Sequence, residues 1–425
     1  MVLQHLHGAD PLAAGIHALS VPGLTDGFAA VLGAHRFLHN QDVDMPSLIA
    51  PLHEVARHWD QQEATEWGLV VHDWSKVGYP THTGKKDQTK LSREGDRGYE
   101  LANVLLVDGG HGTPVAPLEM RLLTALGVYS TRTPAPKKKA YRIDEVLSSM
   151  ESVADRGLTK KLVHIIDREA DSLAHYRAWQ AEGHTFLVRA DGERMVRYEN
   201  EEISLETLGK QLHDQGLFKR SRDVTYKGHH AVQYVAETTV TLDRPAWRCR
   251  KKNGKRISVR VPGEPITLRL IVSRVGNPTG ETVAVWYLLT NVPAEIDQVT
   301  IALWYYWRWR IESFFKLLKS AGQQVESWQQ ETGEAIAKRL LIAAMACALV
   351  WQIERHPSPE AMTLRLLLVK LSGRQMKYGK TYTTPALLAG LWVFVAMLET
   401  LEHHSVEELR NLKKYLSFTP PTDTG

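Results

Sequence analysis

The spacing of apolar residues changes along this chain, and that change limits what it can be built from. Between 224 and 290 apolar residues recur at every second position in several places, as in 231–240 (AVQYVAETTV) and 267–275 (TLRLIVSRV), with turns expected at Lys227-Gly228 and Asn253-Gly254. Alternation of that kind predicts antiparallel strands with one packed face. From Pro293 onward the spacing is helical: one long helix over 299–320, a second over 335–354, then 361–371, 385–398 and 405–415. Ahead of 224, short apolar runs at 68–72 (GLVVH), 101–107 (LANVLLV), 113–118, 162–166 (LVHII) and 185–190 (TFLVRA) stand among helices expected over 143–154 and 171–182. Three strands, a helix, then strands mixed with helices predict a mixed α/β sheet. Residues 1–60 read as short helices at 25–32, 34–38 and 46–59.

At 425 residues the chain has room for two or three domains. Two cysteines, Cys249 and Cys347, are too few for a disulfide framework or a four-cysteine zinc site, so a reducing, cytoplasmic setting is expected. The start, MVLQHLHGADPLAAG, lacks the basic residues and apolar run of a signal peptide, and no uncharged apolar stretch reaches the roughly 20 residues of a membrane span. The run LLIAAMACALV at 340–350 is short enough for a core helix. A net charge of +4 says little about partners, but its distribution says more. Seven basic residues and no acidic one fall within 248–260, among them Lys251, Lys252 and Arg256; smaller clusters lie at 132–142 and 365–380. Such runs bind phosphates through counterion release, or are solvated loops.

Two aspartates, Asp73 and Asp167, each follow a short apolar run. Site residues collect at strand ends because the backbone there is rigid while the side chain meets solvent; aspartate is also an ordinary turn residue there. The segment 304–320 reads WYYWRWRIESFFKLLKS, and its Tyr305, Arg308, Glu312 and Lys319 follow the spacing Y-x2-R-x3-E-x6-K. Steps of three, four and seven residues put a phenol, a guanidinium, a carboxylate and an ammonium on one helical face. Arg308 and Glu312 alone would be a common i,i+4 pair.

That spacing resembles the YREK signature of cut-and-paste bacterial insertion-sequence transposases, the DDE group with a ribonuclease H-like core. The run Asp167-Arg168-Glu169-Ala170-Asp171 is similar to the stretch holding the family's second catalytic aspartate. Asp73 falls where the first is expected, ahead of Asp96-Arg97-Gly98, and 35–40 (HRFLHN) is similar to the N-terminal domain. The likeness spans roughly residues 30–355.

The resemblance implies a helical end-DNA-binding domain over 1–62 and a ribonuclease H-like catalytic core over 63–335. It implies an inserted antiparallel β domain at about 195–292 and a helical C-terminal region over 336–425 suited to pairing protomers. Asp73, Asp167 and Glu312 would hold two Mg²⁺ ions (Mn²⁺ as substitute), hard cations that suit oxygen ligands. Arg308, Lys319 and Arg189 would contact phosphates, and Tyr305 would donate a hydrogen bond near the cut. Family members cut through a DNA hairpin, which needs a flipped base stacked on an aromatic ring. Trp286 holds that place, and a core aromatic on a strand would look the same. The expected protein is therefore a transposase acting on double-stranded DNA, dimeric on DNA, in the bacterial cytoplasm at the nucleoid. The rival expectations are a nuclease that cuts without joining and a DNA-binding protein that has lost catalysis.

Overall fold

The computed structural model describes residues 27–412 except 93–94, 140–142, 253–254 and 278–279; of 27–31, 247–252, 255–256 and 258 it describes the backbone alone. The chain divides into two compact units, one of residues 45–76 and 87–315, the other of 1–44, 77–86 and 316–425.

The first unit is built on one mixed sheet. Its middle is β1 (Trp67–Gly78), β3 (Arg97–Asp108), β4 (Pro114–Leu123), β7 (Lys161–Ile166) and β8 (Phe186–Ala190), in the order β4-β3-β1-β7-β8. β3 and β4 are antiparallel, whereas β7 runs parallel to β1 and to β8. A parallel step needs a crossover, and α3 (Asp144–Ala154) and α4 (Leu173–Ala181) serve as the helices of these crossovers. Flanked on both sides, β1 and β7 can be apolar without alternation: Leu69, Val70, Val71, Val163, Ile165 and Ile166 are fully buried. Short strands β2 (Thr89–Lys90), β5 (Val128–Ser130) and β6 (Thr133–Lys137) extend the β3–β4 side, and α2 (Met45–Gln62) packs on β4.

The antiparallel strands expected as an insertion are present, and they continue the same sheet. β16 (Thr282–Thr290) pairs with β8, and beyond it follow β15 (Ile266–Gly276), β12 (His229–Leu242), β9 (Met195–Tyr198) and β10 (Glu201–Ser204), with β11 (Lys219–Tyr226) beside β12. Among the described residues, only β13 (Ala246–Lys252) and β14 (Lys255–Val261) form a separate two-stranded ribbon, in which Lys251 is the register partner of Arg256. The expected turn at Asn253-Gly254 lies outside the described residues. Between β10 and β11 runs a helix that alternation gave no sign of, α5 (Leu205–Asp214), opened by Ser204, whose side chain accepts from the Thr207 amide at 3.2 Å.

One face of this sheet is sealed by α3, α4 and α5. Val146, Met150, Tyr176, Trp179, Leu205, Leu208 and Leu212 meet Val188, Ala190, Leu270, Val272 and Leu289 in a single apolar cluster. Tyr176 stacks on Phe186 at 5.4 Å and Trp179 meets the same ring edge-on at 5.6 Å. Truncating Trp179 to alanine would cost about 3–5 kcal/mol. Because Val188, Ala190 and Leu289 point to this sealed face, strand alternation turns Arg189, Leu288 and Trp286 to the other.

The chain then enters α6 (Gln298–Trp307), capped by Asp297, whose carboxylate accepts from the Val299 and Thr300 amides at 2.8 and 2.9 Å, and α7 (Trp309–Leu318). The single helix expected over 299–320 is therefore two, joined at Arg308. Its amide donates to Tyr305 O at 3.1 Å and its carbonyl accepts from Ile311 N at 3.1 Å, three-residue steps that tighten the backbone.

The second unit is helical: α1 (Gly27–His39), α8 (Gly333–Arg355), α9 (Pro359–Leu371), α10 (Thr384–His403) and α11 (Val406–Leu412). The two short helices expected near the start are one helix, α1, as far as described. α8 is buried on nearly every side, so its apolar run is a core helix, as 340–350 suggested. α9 and α10 approach so closely that a Cβ on Gly390 would lie 1.9 Å from Leu368 O. The segment 77–86 belongs here too: the buried Lys85 ammonium donates to Trp328 O and Gln330 O at 2.8 and 2.7 Å and sits 4.0 Å over the Tyr79 ring.

Candidate active site

Three elements of the sheet unit bring three carboxylates to one guanidinium. Asp73 lies within β1 rather than after it, because the strand continues to Gly78. Asp167 follows β7 and caps a 3-10 turn over Arg168–Ala170, its Oδ1 accepting from the Arg168 amide at 2.6 Å. Parallel pairing of His72 with Ile166 sets the two aspartates side by side. Glu312 comes from the first turn of α7. Arg308, at the α6–α7 joint, donates from Nη1 to Asp73 Oδ2 at 3.1 Å and from Nη2 to Glu312 Oε1 at 2.8 Å, with Nη2 3.6 Å from Asp167 Oδ2.

The helices that deliver Arg308 and Glu312 are tied to the β3–β4 turn. Trp304 Nε1 donates to Gly109 O at 3.0 Å, and Arg310 Nε donates to Gly112 O at 2.6 Å. Gly112 has φ +66°, and a Cβ there would lie 2.2 Å from the Trp307 ring, so only glycine lets the turn and the joint meet.

The surroundings push the two aspartates apart in acidity. Burial raises the Asp73 pKa to about 6, and Glu312 and Asp167 add to the rise, against the pull of Arg308 and the Trp74 amide. Burial raises Asp167 as well, but Arg308, the Arg168 amide, Arg189 and Tyr305 together bring it below its ordinary value. Arg189, on β8, places Nε 2.6 Å from Asp167 Oδ1, and the buried Tyr305 hydroxyl donates to the same oxygen at 3.1 Å. Burial works against the charge of Arg308, yet Tyr305, Asp167, Asp73 and Glu312 hold it above its ordinary value. Burial likewise raises Tyr305, which stays a neutral donor.

The donor set is all carboxylate oxygen, which suits a hard divalent cation and no softer one. Each carboxylate is turned to the guanidinium, however, and among the described residues no three His, Cys, Asp or Glu side chains are grouped so as to hold an ion. Behind Asp73 and Asp167, His72 and His164 are buried and hydrogen-bonded to each other at 2.9 Å. Burial lowers His72 to about 3 and His164 well below its ordinary value, so both are neutral.

The other residues singled out in the sequence fall in different places. Trp286 is half-buried on β16, against Val224, Ala231 and Val275, with the Tyr226 ring edge-on at 6.0 Å. Its second neighbour along the strand, Leu288, is the register partner of Arg189. Trp286 is thus on the face of Arg189, about 7–8 Å away along the diagonal. Lys319 belongs to the helical unit, one residue past α7, with Nζ 3.7 Å from Glu326 Oε1 and its pKa lowered by burial. The side chains of Lys251, Lys252 and Arg256 lie outside the described residues. Asp171, in the same run as Asp167, is a structural residue that the sequence did not separate from it. Its Oδ1 is 2.5 Å from Arg194 Nε and accepts from the Tyr176 hydroxyl at 2.7 Å, while Oδ2 accepts from the Asp191 amide at 2.8 Å.

The family model described as "Transposase DDE domain" matches residues 68–349. The solved structure of a piggyBac transposase synaptic complex with hairpin DNA is similar to this chain at 11% identity and a TM-score of 0.38, over 90% of this chain. This chain spans 64% of the length of the piggyBac chain. No curated protein sequence matches. The family match takes in more than half of the chain, with all three carboxylates, Tyr305, Arg308 and Lys319 inside it, and the chain belongs to the family of DDE-domain transposases.

Proposed function

We propose that this protein binds transposon ends, cleaves them by divalent-metal-dependent phosphodiester hydrolysis through a hairpin intermediate, and joins the freed 3′-hydroxyls to target DNA. The observation that carries the reading is the meeting of Asp73, Asp167 and Glu312, from three separate elements, around the one guanidinium of Arg308. A structural role needs one carboxylate for one arginine; three on one arginine leave a negative excess that suits cation binding. Further support for a ribonuclease H-like core is the order β4-β3-β1-β7-β8, three strands in succession followed by two parallel ones.

In this reading Asp73, Asp167 and Glu312 hold two Mg²⁺ or Mn²⁺ ions. When bound, such ions activate a water or 3′-hydroxyl and stabilise the leaving oxygen. Arg308 and Arg189 orient the scissile phosphate through charged hydrogen bonds, and the Tyr305 hydroxyl donates a hydrogen bond to a phosphate oxygen. Lys319 adds a phosphate contact, and Lys251, Lys252 and Arg256 of the ribbon hold flanking DNA. Trp286 stacks the flipped base; its place on the Arg189 face supports this. The helices of 1–62 recognise the ends, and those of 336–425 pair two protomers on DNA.

The test is a denaturing gel of an end-labelled duplex taken from the DNA flanking the source gene, incubated with the protein, Mg²⁺ and a target plasmid. Nicked, hairpin and joined products are expected in that order of appearance. Cutting without joining would reassign the protein as a nuclease, and no hairpin would remove that intermediate.

A further inference from the structure

We infer that Arg308 is the resting counter-cation of the carboxylate triad, and that it exchanges partners on the way to cleavage. The triad hands its oxygens to divalent ions while the guanidinium moves to a DNA phosphate. The inference rests on the metal-binding reading of the triad given above and adds what the empty-handed enzyme does with its charges.

Three observations carry it. The guanidinium lies within 3.1, 3.6 and 2.8 Å of Asp73, Asp167 and Glu312, with only 5% of the side chain exposed, so it fills the space between them. Second, Arg308 is not satisfied where it is: its Nε is buried without a hydrogen-bond partner, a donor left over for an oxygen that arrives later. Third, Arg308 sits at the tightened joint between α6 and α7, whereas Glu312 lies within the first turn of α7. Three-residue tightening within a helix is a common hinge, and here it separates the residue that must move from the carboxylate that must stay.

The exchange couples two ligands. An ion that takes the carboxylates frees the guanidinium for phosphate, and a phosphate that draws Arg308 away bares the carboxylates. By linkage each ligand tightens the other by the same factor. Without DNA the arginine therefore suppresses metal loading, which keeps the nuclease site idle until an end is bound.

Binding tests this without turnover. Mn²⁺ is titrated into the DNA-free protein and followed by calorimetry and by the free-ion electron paramagnetic resonance signal, for the wild type, Arg308→Gln and Arg308→Lys, with Glu312→Gln marking the site. Separately, the affinity for the flanking-DNA duplex is measured with and without Ca²⁺. Arg308→Gln is expected to bind Mn²⁺ about ten-fold tighter than the wild type, and Ca²⁺ to tighten wild-type DNA binding at least about five-fold but Arg308→Gln hardly at all. Arg308→Lys keeps the charge, so it guards against a Gln variant that fails to fold; one ammonium cannot span three carboxylates, and an intermediate Mn²⁺ affinity is expected. Equal Mn²⁺ affinity in the wild type and in a folded Arg308 variant overturns the exchange while leaving the metal site standing. No Mn²⁺ binding by any of them, together with DNA binding that Ca²⁺ leaves unchanged in all, overturns the metal reading and the exchange together.

Discussion

At the scale of single residues, the spacing of Tyr305, Arg308, Glu312 and Lys319 was legible in the sequence as one helical face, but the structure puts Tyr305 on α6, Glu312 on α7 and Lys319 past the end of α7. What Arg308 does was not legible. It depends on β1 and β7 lying side by side, a pairing between residues far apart in the chain. Nor did the sequence separate Asp167 from Asp171, since only the fold brings Arg194 and Tyr176 to the latter. Trp286 gives a test at this scale. Its replacement by alanine should leave first-strand nicking near normal and slow hairpin closure about 10–100-fold, as stacking is worth roughly 1–3 kcal/mol per base. Phenylalanine should recover most of it, and hairpins at the normal rate from the alanine variant would make Trp286 a packing residue only. Buried histidines set the acid limit of stability. Burial lowers His53 to about 4 and His72 to about 3, so between those values and about 6.5 the unfolded chain binds protons that the fold refuses. Stability should fall as pH drops below about 6.5, by up to about 1.4 kcal/mol per pH unit for each histidine. Asp73 acts in the opposite sense: its pKa is raised from 3.8 to about 6, so its contribution is lost as pH rises through that window. Melting temperatures of the wild type and His53→Gln across pH 4–8 check this, and identical slopes would contradict it.

At the scale of elements, strands and helices follow from apolar spacing wherever that spacing is regular, as at β12, β15 and α8. The helix α5 and the break at Arg308 are among the features that escaped it. α5 is only ten residues and sits inside a strand-rich stretch, so its Leu205, Leu208 and Leu212 were too few to register. The break at Arg308 carries no Gly or Pro, and it comes from tertiary demands: the joint must meet the β3–β4 turn and aim one side chain at three carboxylates. Gly112 makes that meeting possible. Gly112→Ala should lower the melting temperature by several degrees, on the order of 2–4 °C per kcal/mol for a unit of this size, and cut cleavage per folded molecule by displacing the Trp307 end of α6. A variant with unchanged melting and cleavage would show that the contact is slack. The β13–β14 ribbon is the other element with a distinct expectation. Its backbone register pairs Lys251 with Arg256 and Lys252 with Lys255. Changing Lys251, Lys252 and Arg256 to glutamine should flatten the salt dependence of DNA binding by up to about three units in slope; an unchanged slope would make the ribbon a solvated one.

At the scale of the whole molecule, the mixed α/β class was readable from the order of strands and helices, while the continuity of the sheet was not. The antiparallel strands looked like a separate insertion because nothing local announces that Leu289 pairs with Val188 a hundred residues earlier. That pairing has a functional consequence: it lays β16, with Trp286, against the strand whose Arg189 reaches Asp167, so that the proposed base-stacking and cutting groups share one sheet face. The account stands or falls on the three carboxylates that meet there. The most direct measurement is cleavage of the labelled flanking-DNA duplex by Asp73→Asn, Asp167→Asn and Glu312→Gln beside the wild type, with binding of the same duplex measured in the absence of divalent ions. Each variant is expected to bind within a few-fold of the wild type and to lose cleavage by roughly three orders of magnitude or more, as groups that act as a unit do. Cleavage at the wild-type rate by any one of them would contradict the triad.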